Sequence, residues 1–297
     1  MPVSSLVESV YARLPLRLRR IGYLARTRPG HYYSPYPDLA DLRRREEQVF
    51  GPMDSAPGID LRPDAQWELF DELVDLAGDV ELGPTPGPGR FYSTDNRPYV
   101  GGDAIVLAAM LRRLRPSRYV EVGSGWSTAV ALDTRSLDPQ HTMTITCIDP
   151  FPDRLLDVLG GHEPDAFSLR REPVQDVEAE LFESLAAGDV LFIDSTHVAR
   201  AGGDVNHLVF EVLPRLRPGV HVHIHDVFDG FEYPARWVFE RRAWSEAYLV
   251  RAFLQFNDAF EIELYTSWLH RVDPRRYERG LPLAAENPGA QLWLRRR

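Results

Sequence analysis

The sequence predicts an α/β fold. Its core is a Rossmann-like, doubly wound, mostly parallel seven-stranded sheet with an antiparallel C-terminal strand pair, and an N-terminal helical extension precedes it. Three observations predict this. From about residue 100 onward, short apolar runs alternate with amphipathic runs of helical length. The apolar runs are near-continuous rather than alternating, as in strands buried on both faces. The last two strands show no helical pattern between them, so they pair antiparallel at one edge.

In chain order, the basic stretch "VESVYARLPLRLRRIGYLAR" carries Arg13, Arg17, Arg19, Arg20 and Arg26 against Glu8. It reads as a short amphipathic helix interrupted at Pro15, docked on its own domain in preference to an anionic membrane. "HYYSPYPDL" reads as an ordered extended segment, and "DLADLRRREEQVF" as a helix starting near Asp38 or Asp41. In "DAQWELFDELVDLAG", Trp67, Leu69, Phe70, Leu73 and Leu76 share one face and Gly78 stops the helix. The Pro/Gly alternation of "ELGPTPGPGRF" reads as a linker, which divides an extension, 1–85, from a main domain, 86–297.

Within the main domain, the helix "GGDAIVLAAMLRRLRP" leads into the strand "RYVEV", a glycine turn and the helix "WSTAVALDTRSL". The strands "MTITCID" and "AFSLRRE" follow, then the helix "DVEAELFESLAAG" and the strand "DVLFID". The helix "DVNHLVFEVLPRL" precedes the fifth strand, "GVHVHIHDVF". The helix "WSEAYLVRAFLQF" and the strands "FEIELYTSW" and "AQLWLRR" complete the order.

Composition removes several classes of function. No apolar run reaches the roughly 18 residues of a membrane span, and no signal peptide is visible. The single cysteine, Cys147, excludes an intrachain disulfide and suits a reducing, cytoplasmic setting. A net charge of −10 argues against nucleic acid as a partner. All 34 basic residues are arginine, so a lysine base and Schiff-base chemistry are both excluded. A small-molecule acceptor is the expected partner, with a homo-oligomer left open.

Ligands of such sheets bind beyond the carboxyl ends of the strands. At the first strand end, "YVEVGSGWSTA", Gly123 and Gly125 permit a tight turn and a close backbone approach. A dinucleotide fingerprint wants a third glycine where Thr128 stands. Glu121 beneath the loop suits a cation better than a pyrophosphate, and Asp149, closing the second strand, can accept both ribose hydroxyls. A ribose acceptor beside a site that tolerates positive charge points to S-adenosylmethionine. An NAD-dependent oxidoreductase and a non-catalytic scaffold are the alternatives.

The chain resembles the class I S-adenosylmethionine-dependent methyltransferases over roughly residues 92 to 297. The resemblance rests on "VEVGSGWS", "CID" ending in Asp149, "PVQDV", "VLFIDSTH" and the terminal strand pair. It implies that Glu121, Gly123, Ser124 and Gly125 hold the methionine end, that Asp149 holds the ribose, and that Gln175 with Asp176 flanks the adenine.

In "HVHIHD", strand alternation puts His221, His223 and His225 on one face, the outer two about 13 Å apart, so they cannot share one ion. His225 and Asp226 lie at the carboxyl end, level with Asp194 of "VLFIDSTH" if the two strands are neighbours. This arrangement resembles the small catechol-type O-methyltransferases, which bind magnesium with acidic residues at these strand ends. Asp194 and Asp226 match the two aspartates, which implies a Mg²⁺ or other divalent cation on them. His197 stands where that family has its lysine base, and Val227 stands where it has an asparagine ligand. The expected chemistry is methyl transfer to a hydroxyl, with His197 as base and His225 as the second candidate. Phe231, Tyr233, Trp237 and Trp244 are candidates for an aromatic acceptor wall, and Tyr92, Asn96 or Tyr99 for a cofactor cover.

Overall fold

In the computed structural model, which describes residues 29–53, 55–138 and 140–297, one mixed sheet carries the fold. Its strands are β1 (Arg118–Val122), β2 (Thr144–Ile148), β3 (Phe167–Arg170), β4 (Val190–Ile193), β5 (His221–His225), β6 (Phe260–Tyr265) and β7 (Gln291–Arg296). Their order is β3-β2-β1-β4-β5-β7-β6. Pairing is parallel from β3 across to β5, then antiparallel at β5–β7 and β7–β6. Chain order reverses between β1 and β4, which is the place where such sheets open a ligand crevice.

The described helices are α1 (Leu39–Arg44), α2 (Glu46–Phe50), α3 (Pro63–Ala77), α4 (Gly102–Leu114), α5 (Trp126–Ser136), α6 (Asp153–Leu159), α7 (Ala179–Glu183), α8 (Asp204–His207), α9 (Ala235–Phe239), α10 (Glu246–Leu254), α11 (Thr266–Val272) and α12 (Pro274–Gly280). The chain divides into two compact units. One holds the sheet and comprises 52–232 with 244–297. The described part of the other is 29–51 with 233–243, where Asp38 caps α1 through Ala40 N and Asp41 N, and Phe50 packs on Phe239.

Register fixes what lies under the crevice. Cys147, Glu121, Phe192, His223 and Trp293 form one row across five strands, and residues opposite one another share a face. The helices α3, α4, α5 and α6 pack in series. Helix α5 meets this row directly through Ser127 and Thr128 on Glu121, and α4 meets it through Gln291, which donates to the Gly102 and Asp103 carbonyls and accepts from Trp293 Nε1. From Gly102 to Leu111, α4 is buried all round, so it needs a cover on the side away from the sheet. Helix α3 supplies that cover with Leu69, Phe70 and Leu73, and Gln66 accepts from Tyr265 N of β6. Residues on the N-terminal side of the Pro/Gly linker thus help to close the sheet's own core.

Three features depart from the sequence expectation. Two helices, α11 and α12, stand between β6 and β7, where none was expected. Helix α11 follows β6 without a loop, and its β-favouring start, Tyr265-Thr266, reads as more strand. Helix α6, in "DRLLDVL", is under two turns and too short to show a period. The segment 31–36 forms hydrogen-bonded turns, Ser34 N to His31 O and Gly30 N to Tyr36 O, rather than an extended run. The predicted basic helix at 7–26 lies outside the described residues. Among the described residues, no helix is long and apolar enough to cross a membrane.

The sheet leaves no slack at the end of β1. Gly123 has φ +88°, and a Cβ there would lie 2.2 Å from the Asp194 carbonyl oxygen at the end of β4. Gly123→Ala should therefore cost about 2–4 kcal/mol, the sum of a left-handed backbone and an overpacked contact. Urea unfolding of the variant beside the parent checks it.

Candidate active site at the carboxyl ends of the strands

Beneath the glycine bend, Glu121 is fully buried on β1. Its carboxyl accepts from Ser127 Oγ at 2.5 Å, Thr128 Oγ1 at 2.8 Å and Cys147 Sγ at 3.5 Å. Burial pushes it up to about 8, against the hydrogen bonds from Ser127, Thr128 and Cys147, so it carries a proton over much of the neutral range. Glu121 therefore braces the bend from below, and any hold it has on a ligand acts through the bend. Thr128, at the missing third glycine, also accepts from Gly125 N at 3.1 Å, so one hydroxyl ties the helix start to both bend and strand.

Above the bend, Ser124 Oγ donates to Asp149 Oδ2 at 2.6 Å, and Phe151 N donates to Asp149 Oδ1 at 2.8 Å. The bend after β1 and the carboxylate closing β2 thus meet in one place. Arg154 of α6 lies over Gly125, where a Cβ would come within 3.0 Å of its Cδ. Gln175, in the turn after β3, donates to the Gly202 carbonyl at 2.8 Å, while Asp176 is exposed beside it. The described hydrogen bonds do not join Gln175 or Asp176 to Asp149.

At the ends of β4 and β5, Asp194, His197 and Asp226 come together. One ligand atom of each lies within 4.8 Å of the others. His197 Nε2 stands 3.3 Å from Asp194 Oδ1 and 3.5 Å from Asp226 Oδ2. On the opposite side of the ring, Nδ1 lies 2.8 Å from Glu246 Oε2. Burial works against a charge on His197, but hydrogen bonds to Asp194 and Glu246 and their negative charge prevail and raise it to about 11. Burial likewise opposes the charge of Asp194, yet the His197 bond and the charges of His225, His197 and Arg154 hold it below the ordinary range. Asp226 is pushed up to about 6 by burial, against the pull of His225 and His197.

The histidine strand resolves into three environments. His221 Nδ1 lies 2.6 Å from Glu263 Oε2. His223 is fully buried, stacked on Phe192 at 4.0 Å and edge-on to Trp293; burial, then His225, holds it well below the usual imidazole range. His225 lies beside Tyr99, ring centroids 5.1 Å apart, with Nε2 4.0 Å from Asp226 Oδ1. Burial disfavours its charge, but Asp103, Asp226 and Asp194 raise it.

Of the aromatic candidates, Trp244 reaches this centre, its ring 4.4 Å from that of His197. Phe231 packs on Tyr265 in the core, and Tyr92 donates to the Tyr99 carbonyl. Sequence reasoning missed Ser195 and Glu246. Glu246 sits 49 residues beyond His197 in a helical run, and no local spacing marks it.

A family model described as "Methyltransferase domain" matches residues 120–227, from β1 to the residue after Asp226. An uncharacterized protein of Archaeoglobus fulgidus is 34% identical over 164 residues, 53% of this chain and 72% of that one. Among solved structures, cmcI-D160 with Mg and SAM is 19% identical at a TM-score of 0.38, covering 88% of this chain and 97% of that chain. The O-methyltransferase TomG from Streptomyces achromogenes, in complex with SAM, is 14% identical at a TM-score of 0.37, over 76% and 87%. The chain belongs to the class I S-adenosylmethionine-dependent methyltransferases, the class that its sheet order and matched domain define.

Burial of Glu121 has a consequence for stability. Its folded value, about 8, lies above the ordinary 4.5, so its contribution is fully present below pH 4.5 and is lost as pH rises through 8. Relative to Glu121→Gln, the parent should lose on the order of 3–5 kcal/mol between pH 4.5 and 8. Urea midpoints of both proteins across that range measure the difference, and parallel curves would show that Glu121 does not titrate this way.

Proposed function

We propose that the protein transfers the methyl group of S-adenosylmethionine to a hydroxyl oxygen of a small molecule or sugar. The observation that carries the reading is the Ser124–Asp149 hydrogen bond. It joins the glycine bend to the ribose-type acceptor, and the same bend abuts the backbone of Asp194 through Gly123. In this reading Gly123, Ser124 and Gly125 wrap the methionine end, with Glu121 bracing them. Asp149 exchanges the Ser124 hydroxyl for the ribose hydroxyls, and Gln175 and Asp176 flank the adenine.

The donor set at the centre fits a divalent cation. One carboxylate oxygen each of Asp194 and Asp226 lies within 4.8 Å of the other, and hard oxygen donors on two acidic residues suit Mg²⁺, which keeps several waters of its own. Asp194 and Asp226 would hold it, with water completing the shell. Bound there, it would offset the two carboxylates and polarise the acceptor oxygen. With those carboxylates engaged, His197 would release its second proton to solvent, and Nε2 of the neutral ring would accept the proton of the acceptor hydroxyl. His225 supports Asp226 from below. Trp244 walls the ring of His197, and the residues hold acceptor oxygen and methyl carbon in line.

Calorimetry tests the cofactor half. S-adenosylhomocysteine should bind the parent, NAD⁺ should not, and Asp149→Asn should weaken binding by about tenfold or more. An unliganded parent would end the reading. Titration with Mg²⁺ or Mn²⁺ tests the other half: heat should be seen with the parent and be lost in Asp194→Asn and Asp226→Asn. Methyl transfer that survives EDTA would remove the cation.

A further inference from the structure

We infer that Glu246 is a positioning residue that holds Nδ1 of His197, so that Nε2 is the ring atom presented to Asp194 and Asp226. The inference rests on the proposed role of His197 and adds a residue from α10, outside the matched domain.

Glu246 is 3% exposed, and both its oxygens are spoken for. Oε2 faces His197 Nδ1 at 2.8 Å, and Oε1 accepts from Ser195 Oγ at 2.9 Å. The backbone repeats the attachment. Ser245 N and Glu246 N donate to the His197 carbonyl at 2.8 and 3.1 Å, and Ala199 N donates to Ser245 Oγ at 3.0 Å. The start of α10 is thereby fastened to the turn after β4. His197 sits in that turn at φ +58°, a left-handed conformation that a non-glycine residue keeps only when its surroundings impose it. A buried carboxyl facing a ring nitrogen orients the ring, because the nitrogen must donate and the other is left to face the pocket. Ser195 donates to one oxygen of Glu246, and the other faces Nδ1 and takes its proton.

Glutamine at this position keeps the packing but changes the chemistry. With Ser195 still donating to the amide oxygen, the NH₂ group faces Nδ1, which must then accept. The neutral ring would carry its proton on Nε2, closed to the pocket.

The test uses the full chain labelled with ¹⁵N-histidine, free and with S-adenosylhomocysteine and Mg²⁺, with His197→Gln assigning the signals. The parent should show a slowly exchanging Nδ1–H resonance for His197. Glu246→Gln should lose it and place the neutral-ring proton on Nε2, while affinity for S-adenosylhomocysteine stays within about twofold. Glu246→Asp, one methylene shorter, should also lose the resonance. A parent ring protonated only on Nε2, or retention of the Nδ1–H signal in both Glu246→Gln and Glu246→Asp, would overturn the assignment. Failure of the parent to bind S-adenosylhomocysteine would instead count against the methyl-transfer reading, since the ligand-free spectra decide Glu246 independently.

Discussion

Both halves of the site depend on one backbone contact. Gly123, at the end of β1, lies so close to the Asp194 carbonyl that a methyl group has no room between them. Gly123 N donates to Ile148 O of β2 at 3.0 Å, and Asp194 N donates to Val122 O at 2.9 Å. The bend is thus stitched to β2 on one side and β4 on the other. Since β1 lies between those strands at the point where chain order reverses, the bend and the acidic centre form one rigid edge. A methyl donor lying on the bend and an acceptor at the centre would be brought together by the sheet itself, without a domain having to move.

The electrostatics of that edge follow from a chain with no lysine. Three carboxyl groups, Asp194, Asp226 and Glu246, surround His197, and His225 is the neighbouring imidazole. An isolated histidine titrates near neutrality, but this one is held as a cation by its neighbours. The local charge is therefore balanced by a proton on His197 in the ligand-free protein. A divalent cation would supply the same balance, which ties occupancy of the centre to the state of the ring. Glu121 presents the opposite case. It has hydroxyl and thiol donors but no cation beside it, so burial keeps it protonated, and it serves as a strut.

The strands were legible in the sequence because each is an apolar run flanked by turn residues, and all seven lie where the sequence put them. The Ser124–Asp149 meeting was legible too, because parallel pairing of β1 and β2 brings adjacent strand ends together. Short helices were not. Helices α6, α11 and α12 have seven residues each, too few to establish a period against their surroundings. The protonation of His197 was illegible for a different reason. Its ordinary imidazole value invited the role of a free base, but burial, the Asp194 carboxylate three residues before it and Glu246 of α10 set the actual one, and no local pattern reports the burial or Glu246.

Strain points to the same edge. His197 and Asp226 both adopt positive φ, +58° and +55°, the first in the turn after β4 and the second immediately beyond β5. Neither is a glycine, and each such conformation costs about 1 kcal/mol or more, which folding must recover elsewhere. The bonds from Ser245, Glu246 and Ser195 hold His197 in place, and the pairing of β5 with β4 and β7 holds Asp226. Two unfavourable backbones, kept on adjacent strands and aimed at one point, are hard to explain by packing alone. They make sense if the convergence of the two side chains is itself what the fold is built to maintain.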